Sequence, residues 1–161
     1  MQLTIKRRTQ KGSGLIEAMI SIFVVSIGFL GFAGLQVTGL AAANDSMFRS
    51  KAVYLSSQMA DRVRANLPGV SAGSYDNYSG SVTGPGCITS GCTSAQIAQN
   101  DYYEWSTEVG QLLPAGTGVI CKTSDPSTDD PQCDGAGEVF AIKVLWTEKG
   151  NQHEFVTTLR P

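Results

Sequence analysis

Glu17 stands five residues after Gly12 and directly before a run, Ala18 to Asn44, that holds no charged residue. A carboxylate at the head of such a stretch is costly, about 2.5–3.5 kcal/mol on insertion scales, and acids retained in apolar segments usually serve a function. The chemistry on offer is compensation by a partner charge. Four cysteines, Cys87, Cys92, Cys121 and Cys133, form the second set. Their even count and their confinement to the polar part of the chain point to disulfides made in an oxidising compartment. Three pairings exist. The local one, Cys87 with Cys92 and Cys121 with Cys133, is favoured because short loops close at lower entropic cost. The rival reading is zinc. Its ligand spacings would be four and eleven intervening residues, with the single histidine far along the chain, so no metal site is expected.

The other candidates carry less. His153 has no acid or nucleophile placed beside it by motif and reads as a surface residue. Asp125, Asp129, Asp130 and Asp134 gather around Pro126 and Pro131. Calcium would suit these oxygens, but the twelve-residue EF-hand pattern is absent, and a solvated loop is the favoured reading. The serines lie in no nucleophile-elbow pattern. No catalytic set emerges, so the expectation is a chain that is not an enzyme and takes no cofactor. Tyr75, Tyr78, Tyr102 and Tyr103 read as loop and packing residues rather than as a binding surface.

The elements that position these residues follow from hydropathy. Charged residues make up 16% of the chain, low against the ~25% of soluble domains, and the run Ala18–Asn44 accounts for it. That run exceeds the ~20 residues needed to span a bilayer and is apolar on every side. Lys6, Arg7, Arg8 and Lys11 lie only before it, so the N-terminus stays cytoplasmic and everything after residue 44 is exported. Without residues 1–12 the net charge falls from −2 to −6. No basic stripe remains, which argues against nucleic-acid binding. An ordinary signal peptide has an apolar core of only about 7–15 residues; this run is longer, although Ala41-Ala42-Ala43 could imitate a cleavage site.

After the run, Phe48, Ala52, Leu55, Met59 and Val63 recur at steps of three and four with charges between them, an amphipathic helix. One helix is expected from about Leu15 to Asn66, stopped by Pro68-Gly69. At 1.5 Å per residue it would be roughly 75 Å long. Residues 69–98, rich in Gly, Ser and Thr, read as a loop region holding the first two cysteines. A short helix capped by Asn100 or Asp101 should present Trp105, Val109 and Leu112 and end at Leu113-Pro114. A weak strand at Gly118–Lys122, a strong one at Glu138–Trp146, a turn at Glu148–Asn151 and a return strand at Phe155–Leu159 complete the pattern. The fold class is α+β: a long N-terminal helix, apolar then amphipathic, packed on a small antiparallel sheet with one extra short helix. The chain divides into a basic segment, 1–12, an apolar membrane helix, 13–44, and an exported domain, 45–161, that includes the amphipathic half of the long helix.

Lys11-Gly12-Ser13-Gly14-Leu15-Ile16-Glu17 followed by the apolar run resembles the type IV prepilin signature. The resemblance implies a type IV pilin-like fold in which residues 1–12 are a prepilin leader, 13–44 a membrane or filament-core helix and 45–161 the pilin head, with cleavage between Gly12 and Ser13 by a prepilin peptidase on the cytoplasmic side. It further implies N-methylation of Ser13, and pairing of Glu17 with the N-terminal amine of a neighbouring subunit. That pairing is physically coherent, because a lone charge is not tolerated in an apolar bundle while a pair is, and it would set subunit register as a polar residue does in a coiled-coil seam. Ser13 and Gly14 depart from the family's usual Phe or Met and Thr or Ser, which leaves methylation less firmly indicated than cleavage. Many pilins carry a proline in mid-helix; here Gly28, Gly31 and Gly34 fall instead. Two readings stand together, a softened stretch and close helix–helix approach.

The last third narrows the resemblance. Trp105, Leu112-Leu113-Pro114, Gly116, Gly118-Val119-Ile120-Cys121, Val144-Leu145-Trp146 and Val156-Thr157-Thr158-Leu159-Arg160 are similar to the PilV group of minor pilins, the type IV pilus modification proteins. That implies a role in pilus assembly, priming and modification. The implied partners are other minor and major pilins, the prepilin peptidase, the inner-membrane assembly machinery and a tip adhesin. It also implies residence in the bacterial inner membrane before assembly and on the pilus after it. A minor pseudopilin of type II secretion shares the leader and helix, and a signal-anchored envelope protein without an assembly role is the reading from another class.

Overall fold

The computed structural model describes residues 13–126 and 133–161. The leader with Gly12, and Asp129, Asp130 and Pro131 of the acidic loop, lie outside the described residues. Two compact units divide at residue 44, Met1–Asn44 and Asp45–Pro161. The first unit contributes the N-terminal part of helix α1, which runs from Ser13 to Ala65. Within this apolar part the hydroxyls are satisfied locally. Ser21 donates to the Glu17 carbonyl at 2.8 Å, Ser26 to Ile22 at 2.7 Å and Thr38 to Gly34 at 3.1 Å. Such back-bonding to the preceding turn removes the cost of carrying a hydroxyl in an apolar stretch.

In the second unit the amphipathic part of α1 buries Ala52, Leu55, Met59, Ala60 and Val63. The helix stops at Asn66, whose backbone leaves the helical region at φ −116° and ψ 57°. Pro68-Gly69 does not end helical structure, as the sequence suggests; the chain restarts as α2, Leu67–Ser71. Proline is tolerated in a first turn, where its missing N–H would have had no partner. The Asn66 side chain caps the restart by accepting from the Gly69 N–H at 3.2 Å. Only glycine fits there, since a Cβ at 69 would stand 2.5 Å from Asn66 Nδ2.

The region expected to be a loop holds three elements: α2, β1 (Asn77–Tyr78) and α3 (Cys87–Ser90). Helix α4, Ser94–Leu112, begins well before Asn100. Its cap is Thr93, whose Oγ1 accepts from the Gln96 N–H while Gln96 Oε1 accepts from the Thr93 N–H, a reciprocal pair that satisfies two orphan donors. Asn100 and Asp101 are interior positions. Leu113, extended at φ −123° and ψ 138°, closes the helix ahead of Pro114, as expected.

Strands β2 (Thr117–Thr123), β3 (Val139–Glu148) and β4 (Asn151–Leu159) form with β1 a four-stranded antiparallel sheet in the order β1-β2-β3-β4. The stretch read as a weak strand is thus interior to the sheet. The return strand starts at Asn151, because Lys149 and Gly150 both take positive φ, 51° and 81°, and turn the chain in two residues. Phe140, Ile142, Val144 and Trp146 lie on one face, join Ile120 and Leu159, and pack against α1 and α4. The long helix, small antiparallel sheet and additional helix match the expected architecture.

Candidate functional site

Two assemblies of residues carry the function-bearing chemistry, and each is described by itself. The first is α1 up to Asn44. Its large apolar side chains from Leu15 to Leu40 are all exposed, from 53% at Val25 to 76% at Leu15. Exposed apolar surface on this scale marks a membrane or a partner. The helix is long and apolar enough to cross a membrane. Glu17 is exposed among these residues, and no cation among the described residues lies within ion-pair reach of it. A Cβ added at Gly28, Gly31 or Gly34 would meet nothing within 4 Å. Contacts among the described residues therefore do not require these glycines. Ser13 is the first described residue of the helix.

The second is the head. Cys87 bonds to Cys92 with Cα atoms 5.2 Å apart, and Cys121 to Cys133 at 5.6 Å. The first bond closes the loop around α3, where Gly91 takes φ +69°. The second ties buried Cys121 of β2 to the segment after Pro126. By the loop-entropy relation such short loops add about 2–3 kcal/mol each. Asp134 accepts from the Ser124 N–H at 3.0 Å, from the Ser124 hydroxyl and from the Ala136 N–H at 3.0 Å. The Ser124 hydroxyl foremost, with these N–H groups, holds its carboxyl below the usual range. Its oxygens thus tie Ser124 to Ala136 across a turn. No group of three or more His, Cys, Asp or Glu among the described residues could hold a metal. His153 is not a bare surface residue: half-buried, it stacks on Trp146 with ring centroids 5.6 Å apart.

A polar network that sequence reasoning missed joins α1, the residues flanking α2 (Asn66 and Tyr75) and α4. Arg62 pairs with Asp101 at 3.3 Å and Glu104 at 2.8 Å. Asp101 accepts from the Tyr75 hydroxyl at 2.6 Å. Asn66 Nδ2 donates to that hydroxyl at 3.1 Å and to the Ser94 carbonyl at 2.8 Å. The Arg62 bond, then that of Asn100, lowers the Glu104 pKa. Burial works against the Arg62 charge, but the Glu104 and Asp101 contacts outweigh it and raise its pKa. The one sequence signal for this network was Asn66 two residues before Pro68, the place of a cap.

The tyrosines read as packing residues are partly structural hydrogen-bond donors. Tyr102 is buried and its hydroxyl donates between the Gly118 carbonyl at 2.8 Å and the Gly80 carbonyl at 3.0 Å, where the β1–β2 ladder ends. Burial raises its pKa to about 12, and burial followed by the Asp101 bond raises that of Tyr75 further. Both groups fold as neutral phenols. Their contribution is therefore complete below the unfolded value near pH 10 and lost as pH climbs through the folded values. Denaturant midpoints of the chain in detergent should hold steady from pH 7 to 9 and fall between about pH 10 and 12. In Tyr102→Phe the fall should be shallower; an unchanged slope would remove Tyr102 as its source.

A family model described as Tt1218-like, Type IV pilin Tt1218, matches residues 34–103. No curated protein and no solved structure matches the chain. The match covers the end of the apolar run, the amphipathic part of α1, and the elements through the first half of α4. It supports a type IV pilin, a structural subunit, and the fold is consistent with that. It stops short of the C-terminal third on which the likeness to the PilV group rests.

Proposed function

We propose that this chain is a minor pilin of a type IV pilus, of the PilV-like group. Residues 1–12 are removed between Gly12 and Ser13, Ser13 is N-methylated, and Glu17 compensates the N-terminal ammonium of the subunit beside it. The observation that carries the proposal is Glu17 without a partner charge among the described residues, on a helix whose large apolar side chains are exposed along its length. A monomer with that surface is a component awaiting either lipid or other helices. In the bilayer the helix anchors the chain, N-terminus cytoplasmic and head periplasmic. In the filament the same surface packs against other pilins, with the assembly machinery of the inner membrane making the transfer. The complex is one of minor pilins near the tip, beneath an adhesin, and its function is to prime and modify the pilus.

Processing is the first test. Mass spectrometry of the chain recovered from membranes of a piliated host should place the N-terminus at Ser13, with one added methyl group. A start at Ala42, Ala43 or Asn44 would discard the helix as a signal peptide and end the proposal. Co-purification with other minor pilins from sheared pili is the second readout; a processed chain that never leaves the membrane would be an anchor only.

A further inference from the structure

Strand β4 borders the sheet, and no strand among the described residues lies on its outer side. Nine consecutive one-to-one pairs join it to β3, so the edge is straight and carries no bulge. The two-residue turn makes Glu148 and Asn151 a hydrogen-bonded pair. Alternation from that pair directs the N–H and C=O of Gln152, Glu154, Val156 and Thr158 away from β3. Proline and lysine, which commonly block a bare edge, are absent from 151–159. Beside the edge lies a gap of about 380 Å³ bordered by Arg49, Glu154, Phe155 and Val156. A row of outward backbone groups fits one kind of occupant, another extended strand.

The sequence of the edge says which strand. Read antiparallel about Thr157, the segment Glu154-Phe155-Val156-Thr157-Thr158-Leu159-Arg160 complements itself. Glu154 falls opposite Arg160 of a second copy, Phe155 opposite Leu159, Val156 opposite Thr158 and Thr157 opposite itself. Opposite charges and apolar or β-branched residues placed directly across two strands each stabilise the pairing, and like charges oppose it. Centring the pairing on Glu154 instead would set two carboxylates face to face. Glu154 and Arg160 are both exposed. We infer that β4 pairs edge to edge with β4 of a second copy of this chain in this register, giving an eight-stranded sheet across a two-fold axis at Thr157. The inference goes beyond the proposed function and does not rest on it.

The experiment uses the full chain in detergent. Sedimentation should show a monomer–dimer equilibrium. Under mild oxidation Thr157→Cys should give disulfide-linked dimers, because residues facing each other in a non-hydrogen-bonded pair have Cα atoms about 4.5 Å apart. Val156→Cys, offset from itself by two residues, should give at least about tenfold less, while mixed Val156→Cys and Thr158→Cys chains should link to each other. Arg160→Glu should weaken the dimer about tenfold by facing two acids. The double exchange Glu154→Arg with Arg160→Glu should restore it. Arg160 also pairs with Glu138 within the chain, and a role confined to that pair would not be rescued by the exchange. Monomer at every concentration, equal linking at 156 and 157, failure of the double exchange, or linking of Thr157→Cys to a different chain would each overturn the inference.

Discussion

Glu17→Gln should leave the chain in the membrane with its head folded, and should remove it from the filament. The substitution keeps the side chain's size and deletes its charge, so insertion stays intact or improves. What it deletes is selection between alignments. A helix can slide along an apolar bundle with little change in packing, but a Glu17 that slides past the neighbouring ammonium leaves both charges uncompensated. The cost, about 2.5–3.5 kcal/mol per stranded charge, corresponds to discrimination of about a hundredfold or more between the paired register and any other. With Gln the registers become nearly equivalent, and incorporation should fall by a similar factor. The readouts are surface piliation and recovery of the other minor pilins with the chain. Glu17→Ala should behave alike. Cleavage after Gly12 should persist in both, since in the proposed processing the peptidase reads mainly the glycine. Normal piliation with normal co-purification would show that Glu17 sets no register, and the assembly mechanism would have to go.

That expectation was open to the sequence because it depends on one carboxylate beside twenty-seven uncharged residues, a contrast that no fold can mask. The strong strand was legible for a similar reason. Phe140, Ile142, Val144 and Trp146 alternate with a period of two and are all buried, and Ala141 is the one buried residue of the strand between them. Helix α4 was shortened in the sequence reading because Thr93 and Gln96, its capping pair, follow Cys92 in a stretch of small polar residues with no apolar periodicity before Ala98. Strand β2 looked weak because Gly118 interrupts its pattern. The structure supplies the reason for that glycine, which is the ring of Trp105. Strand β1, two residues long, has no period to detect. The network of Arg62, Asn66, Tyr75, Asp101 and Glu104 could not be seen because its members are up to 42 residues apart and only the fold brings them together. For Glu17 the position was legible and the partner was not: no cation among the described residues pairs with it, and the proposed compensating charge lies on another subunit.

Trp105→Ala should unfold the head or bring it to the margin. Trp105 is buried completely at the meeting of α1, α4 and β2, and its Nε1 donates to the Leu55 carbonyl at 2.8 Å. Truncating so large a core side chain costs about 3–5 kcal/mol through lost burial and the cavity left behind. Domains of this kind have only about 5–15 kcal/mol in total. The fit is tight on the sheet side, where a Cβ at Gly118 would stand 2.3 Å from Cζ3 and 2.5 Å from Cη2 of the indole. Gly118→Ala should therefore cost about 1–3 kcal/mol by overpacking. The two positions must then be coupled. Trp105→Phe removes the outer part of the ring system, so Gly118→Ala should cost less in that background than in the native one, by about 0.5 kcal/mol or more. Denaturant unfolding of the four chains in detergent, followed by tryptophan fluorescence, to which Trp146 contributes in all four and Trp105 in two, measures the cycle. Equal costs of Gly118→Ala in both backgrounds would mean that the indole does not dictate the glycine. The interruption of β2 at residue 118 would then need another cause, and the weakness of the strand signal at Gly118–Lys122 would lose its explanation.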